Sequence, residues 1–233
     1  MRIGAIDTTT KFLCVAICDN SKLYTCNLEL GTRHSLLLVI TIKRALDALG
    51  LRLKDIDYFA CGLGPGSFTG IRVGLSTIKG FAWALEKPIV GISTLDIIAR
   101  NALFARFGFE DKKERNVIIP AVDARRNLIY CSGYRIVSGA LKRIMPYMLL
   151  TEQEFLKKIK PGSVILGDAL GLYKESIMHA SKGVALLDHD YWYPQAHAMV
   201  PLVKERIASG KIDDAFKIKP IYLYPKECQI RKY

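Results

Sequence analysis

Two aspartates, Asp7 and Asp123, each follow an apolar run and open a turn, in the segments AID and AVD. A carboxylate in such a turn accepts the turn's own backbone N–H groups. Alternatively, two carboxylates that face each other across a cleft position Mg²⁺ for phosphoryl transfer. Arg125 and Arg126 stand where small and hydroxyl residues would wrap a phosphate. Two interpretations stay open: an ATPase or phosphotransferase site, or a vestigial nucleotide cleft whose aspartates are structural.

A glycine-rich segment, LGPGSFTGIR at 63–72, connects a strand-like apolar run to a helix-like one. Such a turn can bind an anion at the free N–H groups of the helix. A P-loop is excluded because Gly70 is followed by Ile71 and not by lysine, and Ser67 lacks the flanking glycines of a hydrolase elbow. We expect Ser67 or Thr69 to cap the helix. The residues expected to form a structural turn are Gly64, Pro65, Gly66 and Gly70.

The cysteines and histidines do not form a metal-binding pattern. The six cysteines contain no C-x-x-C pair, and the four histidines show neither H-x-H nor H-x-x-x-H spacing. We therefore expect no metal site and no cofactor, with the cysteines as free thiols in a reducing cytosol.

The composition indicates a globular protein of one or two domains. Half of the 233 residues are hydrophobic, which suffices for a sizeable core. No apolar run reaches the roughly 18 residues of a membrane span, and the N-terminus shows no secretory signal. The formal net charge of +12 attracts polyanions such as RNA, although the basic residues are scattered. We expect a cytoplasmic protein without membrane contact.

Hydrophobic periodicity predicts the elements that position these residues. The first half has expected strands at 2–6, 12–18, 23–30, 56–64 and 88–93 and helices at 36–49, 68–86 and 94–106, with Ser35 and Thr94 as caps. After the polar stretch 108–115, strands are expected at 116–123, 128–136, 141–150 and 163–168, a short helix opened by Thr151, and a helix at 195–209. The repeated arrangement predicts an α/β protein with mixed sheets. The expected lobes are 1–107 and 108–233, with the last segment able to pack back on the first lobe.

Two helices of the first half carry more apolar surface than one buried face requires. The helix at 36–49 is apolar almost all round in its first turns, whereas one buried face gives a single apolar arc of about 100°. The helix at 68–86 combines small residues, which permit close helix contact, with the bulky Phe81 and Trp83. Either both helices are buried within one layer, or a partner covers part of their surface.

Seven segments together resemble the bacterial TsaB family and occur in the family's order over most of the chain. They are AIDTTT (5–10), RHS (33–35), LGPGSFTGIR (63–72), KG (79–80), PIVGISTLD (88–96), VDARRNLIY (122–130) and YPKECQIR (224–231). That family is the dimerization subunit of the machinery that makes N6-threonylcarbamoyladenosine at position 37 of tRNA. The resemblance implies an α/β, actin-like (ASKHA, ribonuclease H-like) fold with two tandem mixed-sheet lobes.

The resemblance also implies a scaffold without catalytic residues, which is a homodimer when alone. Its implied partners are the catalytic subunit TsaD, the ATPase TsaE and, in the assembled complex, tRNA. TsaD holds metal and nucleotide through a paired-histidine motif that this chain lacks. Two alternatives to the scaffold stay open: an ATPase or phosphotransferase that uses Asp7 and Asp123, and a standalone RNA-binding module. Carried over from the family's partner surface, the expected interface residues are Leu36, Leu37, Val39, Ile40, Lys43, Gly66, Ser67, Phe68, Thr69, Arg72, Ser76, Lys79, Gly80 and Trp83.

Overall fold

The computed structural model describes residues 1–105 and 117–224, which group into two compact units. Of the described residues, the first unit contains Met1–Ile97 and Pro194–Ile221, and the second contains those of Ile98–Tyr193 together with 222–224. Residues 194–221, which follow the second lobe's strands in sequence, therefore return to the first unit. The boundary expected between residues 107 and 108 lies outside the described residues and stays a prediction. Cys228, the stretch 108–115 and most of the segment 224–231 also lie outside them.

Ten strands, six α-helices and two short 3-10 helices are present in the described residues. Up to residue 105 the strands and α-helices are β1 (Arg2–Asp7), β2 (Phe12–Asp19), β3 (Lys22–Glu29), α1 (His34–Ala48), β4 (Tyr58–Gly62), α2 (Phe68–Ala84), β5 (Ile89–Ile92) and α3 (Thr94–Asn101). From residue 117 they are β6 (Ile118–Asp123), β7 (Leu128–Val137), β8 (Ala140–Thr151), α4 (Glu152–Leu156), β9 (Val164–Leu166), α5 (Leu170–Ala180), β10 (Ala185–Leu186) and α6 (Ala196–Ala208).

Both units contain a five-stranded mixed sheet with the same order. In the first sheet the order is β3-β2-β1-β4-β5, and in the second it is β8-β7-β6-β9-β10. In each sheet the first three strands form an antiparallel meander, and the last two pair in parallel beside the first. The predicted fold class, α/β and actin-like with two tandem mixed-sheet lobes, is confirmed.

Helices cover both faces of the first sheet. Leu38 and Ile42 of α1 and Leu75 of α2 join the buried cluster on one face. Met199 and Val203 of α6 join the cluster on the other face, where alternate residues of the same strands point. In the second unit, α4 and α5 pack on one sheet face. The first sheet thus provides a rigid support that leaves the outer surface of α1 and α2 exposed.

Two expected caps are wrong, and one is confirmed. Helix α1 begins at His34, not after Ser35, because the His34 ring bonds the Thr10 carbonyl at 2.8 Å and fixes the helix start there. At α3, Ser93 accepts the Leu95 N–H, so Thr94 does not act as the cap. Thr151 opens α4 as predicted, in a capping box with the side chain of the third helical residue.

Candidate partner interface

The outer surface of α1 carries large apolar side chains that the sheet does not cover. Leu36 is 73% exposed, and Leu37, Val39 and Ile40 are exposed as well. The buried side of the same helix consists of His34, Leu38, Thr41, Ile42, Ala45 and Leu46. One apolar arc therefore suffices to hold α1 on the sheet, and the remaining apolar residues have no packing role in the described structure.

The outer surface of α2 carries a second exposed stripe. Its members recur every three or four residues, which places them on one side of the helix. Trp83 ends the stripe and is 69% exposed, and a Cβ added to Gly80, one turn earlier, would meet nothing within 4 Å. At the helix start, the Arg72 guanidinium lies 3.6 Å from the centre of the exposed Phe68 ring. The exposed stripe consists of Thr69, Arg72, Ser76, Gly80 and Trp83.

We call these exposed side chains of α1 and α2 and the adjoining turn the docking face. Of the residues expected at the interface, all are exposed except Gly66 and Lys79, which are half-buried. The alternative in which both helices are wholly buried in one layer is wrong. That the docking face contacts a partner stays a prediction.

The glycine-rich turn is built into the first unit through its backbone. Gly64 has φ of +94°, a conformation that residues with a Cβ rarely adopt. The N–H of Ser67 donates to the Thr9 carbonyl at 2.7 Å, and the Ser67 hydroxyl accepts the Gly70 N–H at 3.2 Å. Ser67 therefore caps α2, as one of the two predicted caps. The role of the four turn residues as a purely structural turn stays a prediction.

Close contact between α2 and the β1–β2 turn explains two of the glycines. A Cβ on Gly70 would overlap the carbonyl oxygen of Thr8, and one on Gly74 would overlap the Thr8 hydroxyl. That hydroxyl donates to the Gly70 carbonyl at 2.7 Å. The start of α2 is thus fixed directly on the turn that follows β1, and this contact sets where the docking face stands on the sheet.

Asp7 is fully buried, and its carboxylate is occupied by neighbouring donors. It accepts the Thr9 N–H at 2.9 Å, the Thr9 hydroxyl at 2.8 Å and the Thr94 hydroxyl at 3.3 Å. A Cβ on Gly62 would overlap the same carboxylate. Burial raises the pKa of Asp7 to about 6, against the lowering effect of these hydrogen bonds. This geometry is that of a turn-capping aspartate.

Asp123 in the second unit also caps its turn. Its carboxylate accepts the Arg125 N–H at 2.8 Å and lies 3.2 Å from the Arg125 guanidinium. Asp168, which sequence reasoning did not single out, accepts the N–H of Asp123 at 2.9 Å. The glycine-flanked segment GDALG (167–171) is the sequence feature that could have drawn attention to Asp168. Within residues 1–105 and 117–224, no group of three or more His, Cys, Asp or Glu side chains is placed to hold a metal ion.

Replacing Asp7 by Asn should change how stability depends on pH. Because the folded-state pKa is about 6 and the ordinary value is 3.8, the folded protein takes up a proton as the pH falls from 8 to 5. The wild type should therefore gain about 1 kcal/mol over Asp7→Asn between these pH values. Urea unfolding of both proteins at pH 8 and pH 5 measures this difference. An equal difference at both pH values would show that the carboxylate stays ionised throughout.

Known proteins resemble this chain over most of its length. Residues 29–181 match the family model "TsaD: tRNA N6-adenosine threonylcarbamoyltransferase". The tRNA threonylcarbamoyladenosine biosynthesis protein TsaB of Escherichia coli is 27% identical over 96% of this chain and 94% of its own. Its Bacillus subtilis namesake is 29% identical over 76% of this chain and 75% of its own.

A solved structure gives the same result for the fold. YeaZ from Pseudomonas aeruginosa has a TM-score of 0.80 and 26% identity, over 95% of this chain and 100% of its own. In the described residues, none of the helices has both the length and the apolar character that crossing a membrane needs. The family match spans more than half of the chain, and the TsaB relatives cover most of it. The chain therefore belongs to the threonylcarbamoyltransferase family of the TsaD model and, within it, to the TsaB group.

Proposed function

We propose that the chain is a non-catalytic subunit required for making N6-threonylcarbamoyladenosine at position 37 of tRNA in the cytoplasm. It binds and activates the catalytic subunit TsaD, and the ATPase TsaE completes the assembly. The names of its relatives support the role in tRNA threonylcarbamoyladenosine biosynthesis. The observation that carries the scaffold role is the docking face, an exposed apolar surface on two helices that the sheet already holds in place.

The chemistry of the two aspartates supports a role without catalysis. Asp7 is buried and accepts three hydrogen bonds from its own unit, so water or a phosphate has no access to it. Asp123 accepts the backbone of its own turn and pairs with Arg125. Both carboxylates stabilise their own turns. The docking face is therefore the surface to which we assign the function.

The docking face has the composition of a protein interface. Exposed Trp and Phe side chains beside small residues allow two helices of a partner to approach closely, as in a four-helix contact. A standard interface buries about 1,600 Å² in total, which two helices of this length can supply. When the chain is alone, the same surface pairs with a second copy, and binding of TsaD replaces that copy.

Omission of the chain from a reconstituted reaction tests the proposal. Catalytic subunit, ATPase and unmodified tRNA are incubated with threonylcarbamoyl donor, with and without this chain, and N6-threonylcarbamoyladenosine is measured. We expect modification only when the chain is present. Equal modification in its absence would overturn the proposal. ATP hydrolysis by the purified chain that Asp7→Asn abolishes would instead favour the ATPase alternative.

A further inference from the structure

The end of the β7–β8 hairpin extends past the second sheet. Strand β6 pairs with β7 as far as Tyr134, and in the described residues β7 pairs beyond that point with β8 alone. Ser138 and Gly139 close the hairpin, both with positive φ as a tight two-residue turn requires. We call residues 135–143 the hairpin tip. The apolar Ile136, Val137 and Leu141 of the tip are half-buried, whereas its charged side chains are exposed.

The hairpin tip concentrates positive charge. Arg135 lies directly opposite Lys142 in the register, and Arg143 follows. Like charges in directly opposed positions destabilise a strand pair unless an anion lies between them. All three side chains are exposed, and neither Arg135 nor Lys142 has an acidic partner in the described structure. From Ala124 to Thr151 the sequence has five basic residues and no acidic one.

An aromatic side chain orients one of these cations. The Arg143 guanidinium lies 4.0 Å from the centre of the Tyr147 ring. Stacking of this kind holds the planar group in a defined orientation while its N–H groups remain available for a phosphate. Ile144 beside it is 44% exposed, a single apolar side chain rather than the apolar face that insertion into a lipid surface needs.

We propose that the hairpin tip binds the phosphate backbone of RNA, through Arg135, Lys142 and Arg143. The choice of RNA rests on the proposed function, which makes tRNA the substrate of the assembly. The proposal adds to that function a second surface, on the second unit, that is independent of the docking face. Each phosphate contact releases counterions, so binding through the tip depends steeply on salt.

Equilibrium binding of the full chain to unmodified tRNA, followed by fluorescence anisotropy at several salt concentrations, tests the proposal. Arg135→Gln combined with Lys142→Gln should weaken binding about 10-fold at low salt. It should also lower the slope of log K against log salt by about 1.4 to 1.8, since each lost contact removes about 0.7 to 0.9. The matched control is Lys174→Gln with Lys182→Gln, two exposed lysines of the same unit with the same loss of charge. The control should bind tRNA like the wild type.

Three results would overturn the proposal. The first is an equal loss of tRNA affinity in both double variants, and the second is no binding of tRNA by the wild type. The third is tighter binding to phosphatidylserine vesicles than to tRNA, with the same dependence on Arg135 and Lys142. The last result would assign the tip to a membrane surface. Co-purification with the catalytic subunit should be unchanged in the tip variant, which separates failure of this proposal from failure of the proposed function.

Discussion

Leu36→Glu should abolish co-purification of the chain with the catalytic subunit proposed as its partner, while the chain itself stays folded. Leu36 is 73% exposed on α1, so the monomer loses little packing when it is replaced. In a docked complex the carboxylate would be buried against apolar residues without a partner, which costs about 3 kcal/mol or more. The dissociation constant measured by isothermal titration calorimetry should rise at least about 100-fold. Reconstituted tRNA modification should fall to the level seen without the chain.

A second exposed leucine provides the control. Leu172 lies on α5 of the second unit and is 66% exposed, so Leu172→Glu makes the same chemical change on a comparable helical surface. It should leave co-purification, calorimetry and modification unchanged. Equal effects of the two substitutions, or none from Leu36→Glu, would contradict the assignment of the docking face. Size-exclusion chromatography of the chain alone extends the test, because Leu36→Glu should also convert the homodimer proposed for the chain alone to a monomer.

Gly70→Ala should destabilise the protein strongly, although alanine is the better helix former. In an exposed helix the change from glycine to alanine gains about 1 kcal/mol. At Gly70 the added Cβ would overlap the Thr8 carbonyl oxygen, which is backbone and cannot rotate away. Moving α2 from the turn would break the hydrogen bond from the Thr8 hydroxyl to the Gly70 carbonyl. We expect a loss of about 3 kcal/mol in the free energy of unfolding, measured in urea.

Gly80 in the same helix is the matched control. A Cβ there meets nothing within 4 Å, so Gly80→Ala should stabilise the protein by about 0.5 to 1 kcal/mol through helix propensity alone. The two substitutions are chemically identical and should change the free energy of unfolding in opposite directions. A stabilising Gly70→Ala would show that α2 does not rest on the β1–β2 turn as described.

Most of the fold could be predicted from periodicity, and the exceptions have local causes. Alternating and buried apolar runs identified the strands of both meanders, because each strand has a single clear pattern. Helix α5 was missed because exposed Leu172 and Met178 blur its apolar stripe. Strand β10 was missed because two residues, Ala185–Leu186, are too short for a pattern. The return of α6 to the first unit is a long-range contact that no local signal reveals.

The part of the candidate site on α1 could be predicted, because the helix sequence has more apolar residues than one buried face needs. That surplus is the exposed part of the docking face. The role of Asp7 could not be settled from spacing, because a capping and a metal-positioning aspartate occupy the same place in a turn. Its three donors and its burial distinguish them. Asp168 contacts Asp123 from another strand, so only the fold brings them together.

The return of α6 also determines the order in which the parts can be completed during synthesis on the ribosome. One apolar side of the first sheet is covered by Met199 and its neighbours, which are translated after the whole of the second unit's sheet. The second unit is nearly continuous in sequence, so it can fold before the first sheet is covered on both faces. That face of the first sheet therefore stays uncovered until residue 208 has left the exit tunnel, and exposed apolar surface of this kind makes partly synthesised chains prone to aggregate.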